Sequence, residues 1–332
     1  MSVTMREVTD DEADIRLDRW FRRHYPDLTQ GVIQRLCRTG QVRIDGHRAE
    51  AATRLAPGQS VRVPPLPGPP PVESAPPPAD PRVRAEVERM ILYQDEQIIV
   101  LNKPAGLPTQ GGPGISRHLD GMLRTLATSS QDKPRLVHRL DRDTSGVLVV
   151  ARSPGVAAKL AAAFRSRAVQ KIYWAIVVGR PVPVSGRVEL ALSRGDPSFA
   201  GARGARVSIA EPGDADAAHA ITDYRTLDHA ARKLAWLELS PLTGRTHQLR
   251  VHCVSLGAPI LGDEAYGVWR ESGNTALVDG LSEQLHLHAR RLTLPHPSGG
   301  TLIVEADLPP HMAGSFRDLG FTAAPAAPPQ RR

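Results

Sequence analysis

Asp141 stands between two arginines in the run His138-Arg139-Leu140-Asp141-Arg142-Asp143-Thr144-Ser145-Gly146, and the apolar run Val147-Leu148-Val149-Val150 follows it. Neighbouring cations favour the ionised form of a carboxylate. An ionised carboxylate suits a nucleophile rather than a general acid. The valine-rich run reads as a strand covered on both faces, ended by Arg152 and Ser153-Pro154-Gly155. A polar loop leading into such a strand is held by a rigid scaffold, and sites favour loops of that kind. Taken alone, Arg-Leu-Asp-Arg is far more often a surface salt-bridge loop, because ion pairs perturb carboxylates more often than catalysis does. Other segments decide between the two.

One is Leu242-Thr243-Gly244-Arg245-Thr246-His247-Gln248-Leu249-Arg250-Val251-His252. It follows Leu234 to Leu239, which alternates large apolar and other residues like a strand. Gly244 opens a turn, and the pattern predicts a helix from Thr246 to Ser255, closed by Gly257 and Pro259. Alone, this is a basic helix N-terminus. Another is Lys171-Ile172-Tyr173-Trp174-Ala175, on a strand reaching Val178, where a tyrosine is by default half-buried. The last is Ile98-Ile99-Val100-Leu101, a strand leading into Asn102-Lys103-Pro104-Ala105-Gly106-Leu107.

In this order, from Ile98 to Gly267, the segments together resemble the RluA/RluC family of RNA pseudouridine synthases; Leu287-His288-Ala289-Arg290 to His296-Pro297 fits as well. The resemblance implies that Asp141 is the catalytic nucleophile, that Arg245 pairs with it, and that Tyr173 lies against the target base. Arg139 and Arg142 are candidates to hold RNA, Arg139 also to fill the gap left by the base. It implies an α+β fold with a mixed, largely antiparallel sheet and a central RNA cleft. The run around Asp141 and Gln110-Gly111-Gly112-Pro113-Gly114 resemble the RluC-like branch. That branch carries an S4 domain and modifies uridines in bacterial large-subunit (23S) ribosomal RNA.

The implied chemistry needs the uridine out of its stack, at a cost of a few kcal/mol. The carboxylate acts at the ribose, by adding at C1′ or by removing a neighbouring proton. The N-glycosidic bond breaks, the base turns, C5 joins C1′, and a hydrogen leaves C5. No oxidation or energy input occurs, so no cofactor and no metal are expected.

The elements divide at a proline-rich stretch, Pro64 to Pro81, expected to be an extended, semi-rigid linker (64–81). Before it, Leu17, Trp20 and Phe21 have the spacing of one helix face. A second helix begins near Thr29, carries Val32, Ile33, Leu36 and Cys37, and ends at Gly40. Val42-Arg43-Ile44, Asp45-Gly46 and Val61-Arg62-Val63 read as strand, turn and returning strand. This arrangement over 14–63 resembles a small S4-like α/β RNA-binding domain. Its phosphate-contacting face would carry Arg22, Arg23, Arg35, Arg38, Arg43 and Arg48. Residues 82–318 form the catalytic domain, with an Ala-rich helix near Val156 to Arg165. Ser193 to Ala218 reads as a polar, Gly-rich loop or irregular hairpin. Residues 322–332 read as a disordered tail.

At 332 residues the chain holds one large domain and a small one. Its net charge of +7 favours a polyanionic partner, here RNA. Five of the 42 basic residues are lysine and the rest arginine, which grips phosphate bidentately. Arginine, alanine and proline richness together fit a GC-rich genome. The two cysteines, Cys37 and Cys253, fall in different domains and imply no disulfide framework. No secretory leader or spanning run is visible, so a cytoplasmic, monomeric enzyme without a membrane or obligate protein partner is expected. A metal-dependent hydrolase built on His247 and His252, or His286 and His288, lacks the His-Glu-x-x-His spacing and sets histidines beside arginines. A non-catalytic RNA chaperone would not need Asp141, Tyr173 and Arg245 together.

Overall fold

The computed structural model describes residues 3–25, 28, 30–66, 80–112, 114–127, 133–194, 207–211, 213–214, 216–231, 233–267 and 280–332. The chain forms two compact units, Met1–Pro78 and Ala79–Arg332.

The first unit contains β1 (Thr4–Glu7), α1 (Leu17–His24), α2 (Gln30–Arg38), β2 (Arg43–Ile44), β3 (His47–Arg48) and β4 (Ser60–Val63). Its strands pair in the order β1-β4-β2-β3, all antiparallel. Leu17, Trp20 and Phe21 are fully buried, so the spaced face of α1 is the core face. Ile33, Leu36 and Cys37 of α2 pack with Val42, Ile44, Val61 and Val63 of the sheet in the same cluster. The helix start expected at Thr29 and most of the proline stretch (67–79) lie outside the described residues.

The second unit begins with α3 (Pro81–Arg89), β5 (Ile91–Gln94), β6 (Ile98–Lys103), α4 (Leu119–Met122) and β7 (Arg135–Leu136). It continues with β8 (Ser145–Ala151), α5 (Pro154–Arg165), β9 (Gln170–Val178), β10 (Ser185–Arg194) and β11 (Val207–Ile209). Then come β12 (Ala218–Ala230), β13 (Leu234–Pro241), α6 (Gln248–Ser255), β14 (Leu287–Pro295), β15 (Thr301–Glu305), α7 (Pro310–Asp318) and β16 (Gln330–Arg331). The sheet runs β11-β10-β12-β13-β9-β14-β8-β6-β5, with β7 on β8 and with β15 joining β14 to β16. It is mixed: β14 and β8 run parallel, while β9 on β13 and β6 on β8, among others, are antiparallel. The architecture is α+β. No helix among the described residues is long and apolar enough to cross a membrane.

The all-apolar runs of β6 and β8 have a direct explanation. Ile99, Leu101, Leu148 and Val150 face one cluster with Val87, Leu119 and Leu123. Ile98, Val100, Val147 and Val149 face another with Leu160, Leu292 and Val304. Both faces of these strands are buried, so the two-residue alternation of polarity disappears. On β13, Ala235, Leu237 and Leu239 meet Leu249 and Cys253 of α6. Leu234 and Trp236 meet Met312 and Phe316 of α7 on the other face. Gly146, at φ +112°, is required where β8 meets β14: a Cβ there would lie 2.3 Å from the Ala289 carbonyl oxygen.

Two expectations need adjustment. The helix expected from Thr246 begins at Gln248, because His247 turns into the left-handed region, with φ 52°. Residues 322–332 do not trail away as a disordered tail. Their backbone is bound to the sheet: Ala326 and Ala327 N–H donate to Asp307 and Glu305 side chains, and Gln330 and Arg331 pair with Ile303 and Leu302. The Ala-Pro composition that reads as disorder is accommodated because β15 offers an unpaired edge. For Ser193 to Ala218, residues 195–206 lie outside the described residues, and Leu192 to Arg194 pair antiparallel with β11.

Candidate active site

Asp141 sits on the loop between β7 and β8, half-buried, and is held by its neighbours' backbone. The Thr109 hydroxyl donates to the Leu140 carbonyl at 2.6 Å. The Lys103 ammonium donates to the Arg142 carbonyl at 2.9 Å, and also to the carbonyls of Pro104 and Leu107. The Thr144 N–H closes a turn onto the Asp141 carbonyl. His138 accepts the Val149 N–H on Nε2 at 2.9 Å and stacks on Phe164. Burial pushes His138 down to about 3, with Lys171 adding to the effect, so it is a neutral structural acceptor. Asp141 is therefore clamped on both sides along the chain, the arrangement a reacting group needs.

A cavity of about 580 Å³ opens over this loop, lined by Arg139, Asp141, Tyr173, Arg245, His247 and Arg250 among others. Tyr173 projects from β9. Burial and the Asp141 carboxylate hold its phenol well above the ordinary value. It stays protonated and offers an aromatic face and a hydroxyl.

The turn 243–248 is built by one amide. Gln248 Oε1 accepts from the Thr243 hydroxyl (2.7 Å) and the Arg245 N–H (3.0 Å). Its Nε2 donates to the Ile221 carbonyl and the Thr222 hydroxyl, both at 2.9 Å. Gln248 thus fixes the start of α6 against β12.

The expected pairing of Arg245 with Asp141 is not present. Arg245 lies exposed at the cavity rim and donates from Nε to the His219 carbonyl at 3.1 Å. Among the described residues, the titratable side chain within 4.0 Å of Asp141 is His247, with Nε2 at that distance from Oδ2. The buried cation below the site is Arg250, one helical turn further on. It forks onto Asp263 at 2.7 and 2.6 Å and packs over the Tyr266 ring. Burial lowers its pKa, but Asp263 and then Asp141 outweigh that and leave it raised. Arg250 and Lys103 were not site candidates from the sequence, and His247 was weighed there only as a metal ligand, although all three lie inside the quoted runs. Apolar Leu249 and Val251 flank Arg250, and that signal of a buried charge was available.

The other arginines are distributed unevenly. Arg142 is exposed and pairs with Asp143 at 3.3 Å. Arg139, Arg165, Arg167, Lys171 and Arg245 all line the cavity, and among the described residues none has an ion-pair partner. Lys171 donates to the Thr243 carbonyl at 3.2 Å. Among the described residues of the first unit, Arg22, Arg35, Arg38 and Arg48 are exposed without ion-pair partners, whereas Arg23 pairs with Asp11. Arg43 donates to the carbonyls of Gly40 and Gly46.

Residues 97–255 fit the model of the family described as RNA pseudouridylate synthase. The chain is 35% identical to the ribosomal large subunit pseudouridine synthase C of Rickettsia bellii, over 89% of this chain and 94% of that protein. With the enzyme of that name from Vibrio cholerae it shares 34% identity over 92% and 93%. The structure of human RNA pseudouridylate synthase domain containing 4 superposes with a TM-score of 0.59 at 33% identity, over 72% of this chain and 96% of that one. The chain belongs to the RluA/RluC family of RNA pseudouridine synthases.

Proposed function

We propose that this RNA pseudouridine synthase acts on uridines of bacterial large-subunit ribosomal RNA in the cytoplasm, as a monomer, with Asp141 as its nucleophile. The observation that carries the reading is the placement of Asp141: a clamped carboxylate at a cavity lined by five cations that, among the described residues, have no acidic partner of their own. Cations left unpaired around a reacting carboxylate suit a ligand that brings its own negative charges, as an RNA backbone does.

In this reading the flipped uridine occupies the cavity. Arg139 fills the space the base leaves, and Tyr173 stacks on the uracil. Asp141 acts at the ribose, by adding at C1′ or by taking a neighbouring proton. The bond from N1 to C1′ breaks, the uracil turns while held against Tyr173, C5 bonds to C1′, and the proton lost from C5 is matched by one taken up at N1. Arg250 beneath and Arg245 at the rim supply positive potential and a phosphate contact respectively. The substrate's atoms are all retained, so none of these steps draws on a cofactor. The first unit, read as an S4-like domain over 14–63, grips RNA through Arg22, Arg35, Arg38 and Arg48, with Arg23 and Arg43 partly occupied by their own chain.

Pseudouridine mapping of ribosomal RNA from cells lacking the protein tests this. Specific large-subunit positions should remain uridine, return with the wild-type chain, and stay absent with Asp141→Asn. An unchanged map removes ribosomal RNA as substrate; restoration by Asp141→Asn removes the nucleophile.

A further inference from the structure

His247 holds an unusual backbone position directly above the site. At φ 52° and ψ 15° it is left-handed at the N-terminus of α6, a conformation that costs a residue bearing a Cβ. Such strain persists only where the surroundings over-determine it, and it clusters at functional sites. The imidazole lines the cavity and lies edge-on to the Tyr266 ring, with centroids 5.6 Å apart. Its Nδ1 is 2.8 Å from the Tyr266 hydroxyl, and its Nε2 is 4.0 Å from Asp141 Oδ2.

These two contacts favour one tautomer. A carboxylate only accepts, so the hydrogen of a neutral ring belongs on Nε2, facing Asp141. Nδ1 is then the acceptor and takes the Tyr266 hydroxyl hydrogen. The Tyr266 oxygen accepts in turn from the Val207 N–H at 2.8 Å. Burial lowers His247 below the ordinary histidine value, with Arg250 and Arg139 assisting and Asp141 and Asp263 opposing. The ring is accordingly neutral near pH 7. A neutral N–H directed at a carboxylate orients one of its oxygens and leaves its charge in place.

We infer that His247 is a positioning residue for Asp141: its Nε2–H, set by the Tyr266 hydroxyl on the opposite ring nitrogen, holds one carboxylate oxygen and turns the other toward the ribose of the flipped uridine. The 4.0 Å separation is a charge–dipole contact that closes to a hydrogen bond when substrate fills the cavity. The inference rests on reading Asp141 as the nucleophile.

His247→Asn and His247→Gln separate this role from a purely structural one. Asparagine takes the left-handed backbone more readily than glutamine and can still bond Tyr266, but its amide stops short of Asp141. Glutamine carries an amide nitrogen out to the place of Nε2. RNA binding should stay within roughly threefold for both, kcat should fall about 10- to 100-fold in His247→Asn, and His247→Gln should recover several-fold of that loss. Tyr266→Phe, which keeps the ring under Arg250, should lower kcat without raising KM, and it carries the test if His247→Asn does not fold. A His247→Asn enzyme as fast as His247→Gln, or Tyr266→Phe at the wild-type rate, overturns the inference. Asp141→Asn assayed alongside keeps the readings apart. Turnover in that variant removes the nucleophile and His247's role together; an inactive Asp141→Asn beside a fully active His247→Asn removes only the role of His247.

Discussion

The guanidinium of Arg250 forks onto the carboxylate of Asp263, Nε to Oδ2 at 2.7 Å and Nη2 to Oδ1 at 2.6 Å, and both residues are buried. Asp263 Oδ1 also receives the N–H groups of Ala265 and Tyr266. The pair therefore ties α6 to the segment that carries Tyr266, and it does so beneath the cavity.

Breaking this pair from one side should cost far more than a surface ion pair would. Asp263→Asn keeps the shape but leaves Arg250 buried without an anion, a loss of about 3–5 kcal/mol. The urea midpoint of the variant should fall accordingly. Activity should fall with it even at temperatures where the variant remains folded, because Arg250 no longer has a fixed place below Asp141. A wild-type midpoint would show that the fork contributes no net stability.

Lys103 gives a pH dependence of stability with a definite sign. Its side chain is fully buried, and burial pushes its ammonium down to about 7, against the attraction of Asp143 and Asp141. Between that value and the ordinary lysine value the unfolded chain binds more protons than the folded one, so stability rises with pH across that window. Below it the cost is constant. The slope from one such group is at most about 1.4 kcal/mol per pH unit. Urea midpoints of wild type and Lys103→Met, compared at pH 7 and pH 9, should diverge, with the wild type gaining more. Parallel behaviour of the two would show that Lys103 keeps its ordinary proton affinity in the fold.

Tyr173 should work through its ring more than its hydroxyl. Tyr173→Phe keeps the stacking face. Tyr173→Ala removes a base contact of about 1–3 kcal/mol and should fall roughly 5- to 150-fold below Tyr173→Phe in kcat/KM. Equal losses in the two variants would move the essential function to the hydroxyl.

Much of the catalytic unit was legible because its chemistry lies in short runs next to strands of distinctive composition. Val147 to Val150 and Ile98 to Leu101 could be read as doubly covered strands, and that places the loop holding Asp141. The partner of Arg250 was not legible, since Asp263 is 13 residues away across a turn with no periodicity to connect them. The aim of His247 depends on one left-handed residue at a helix start, where pattern alone extends the helix backward. Residues 322–332 were misread for a different reason. Their pairing with β15 is decided by an available sheet edge, a tertiary fact that overrides an Ala-Pro composition.

The separation of the two units makes the last prediction possible. Every buried residue in the core of the first unit, from Val8 to Val63, belongs to that unit, and the clusters around β6, β8, β9 and β13 are built wholly from the second. Removal of residues 1–78 should therefore leave a folded catalytic unit with its cavity and the Asp141 loop intact. What it removes is charge: among the described residues Arg22, Arg35, Arg38 and Arg48 are exposed without ion-pair partners, while Arg23 and Arg43 are engaged within the unit. Each phosphate contact contributes roughly 0.7–0.9 to the slope of log affinity against log salt, so these four arginines should make the slope shallower by about 3–4. Ribosomal RNA should bind more weakly at physiological salt, and pseudouridine formation should persist at high RNA concentration. Filter-binding titrations of the full chain and the truncated chain across a salt series measure both effects. An unchanged slope would mean that the first unit does not touch RNA, and the S4-like reading would fall while the synthase remained.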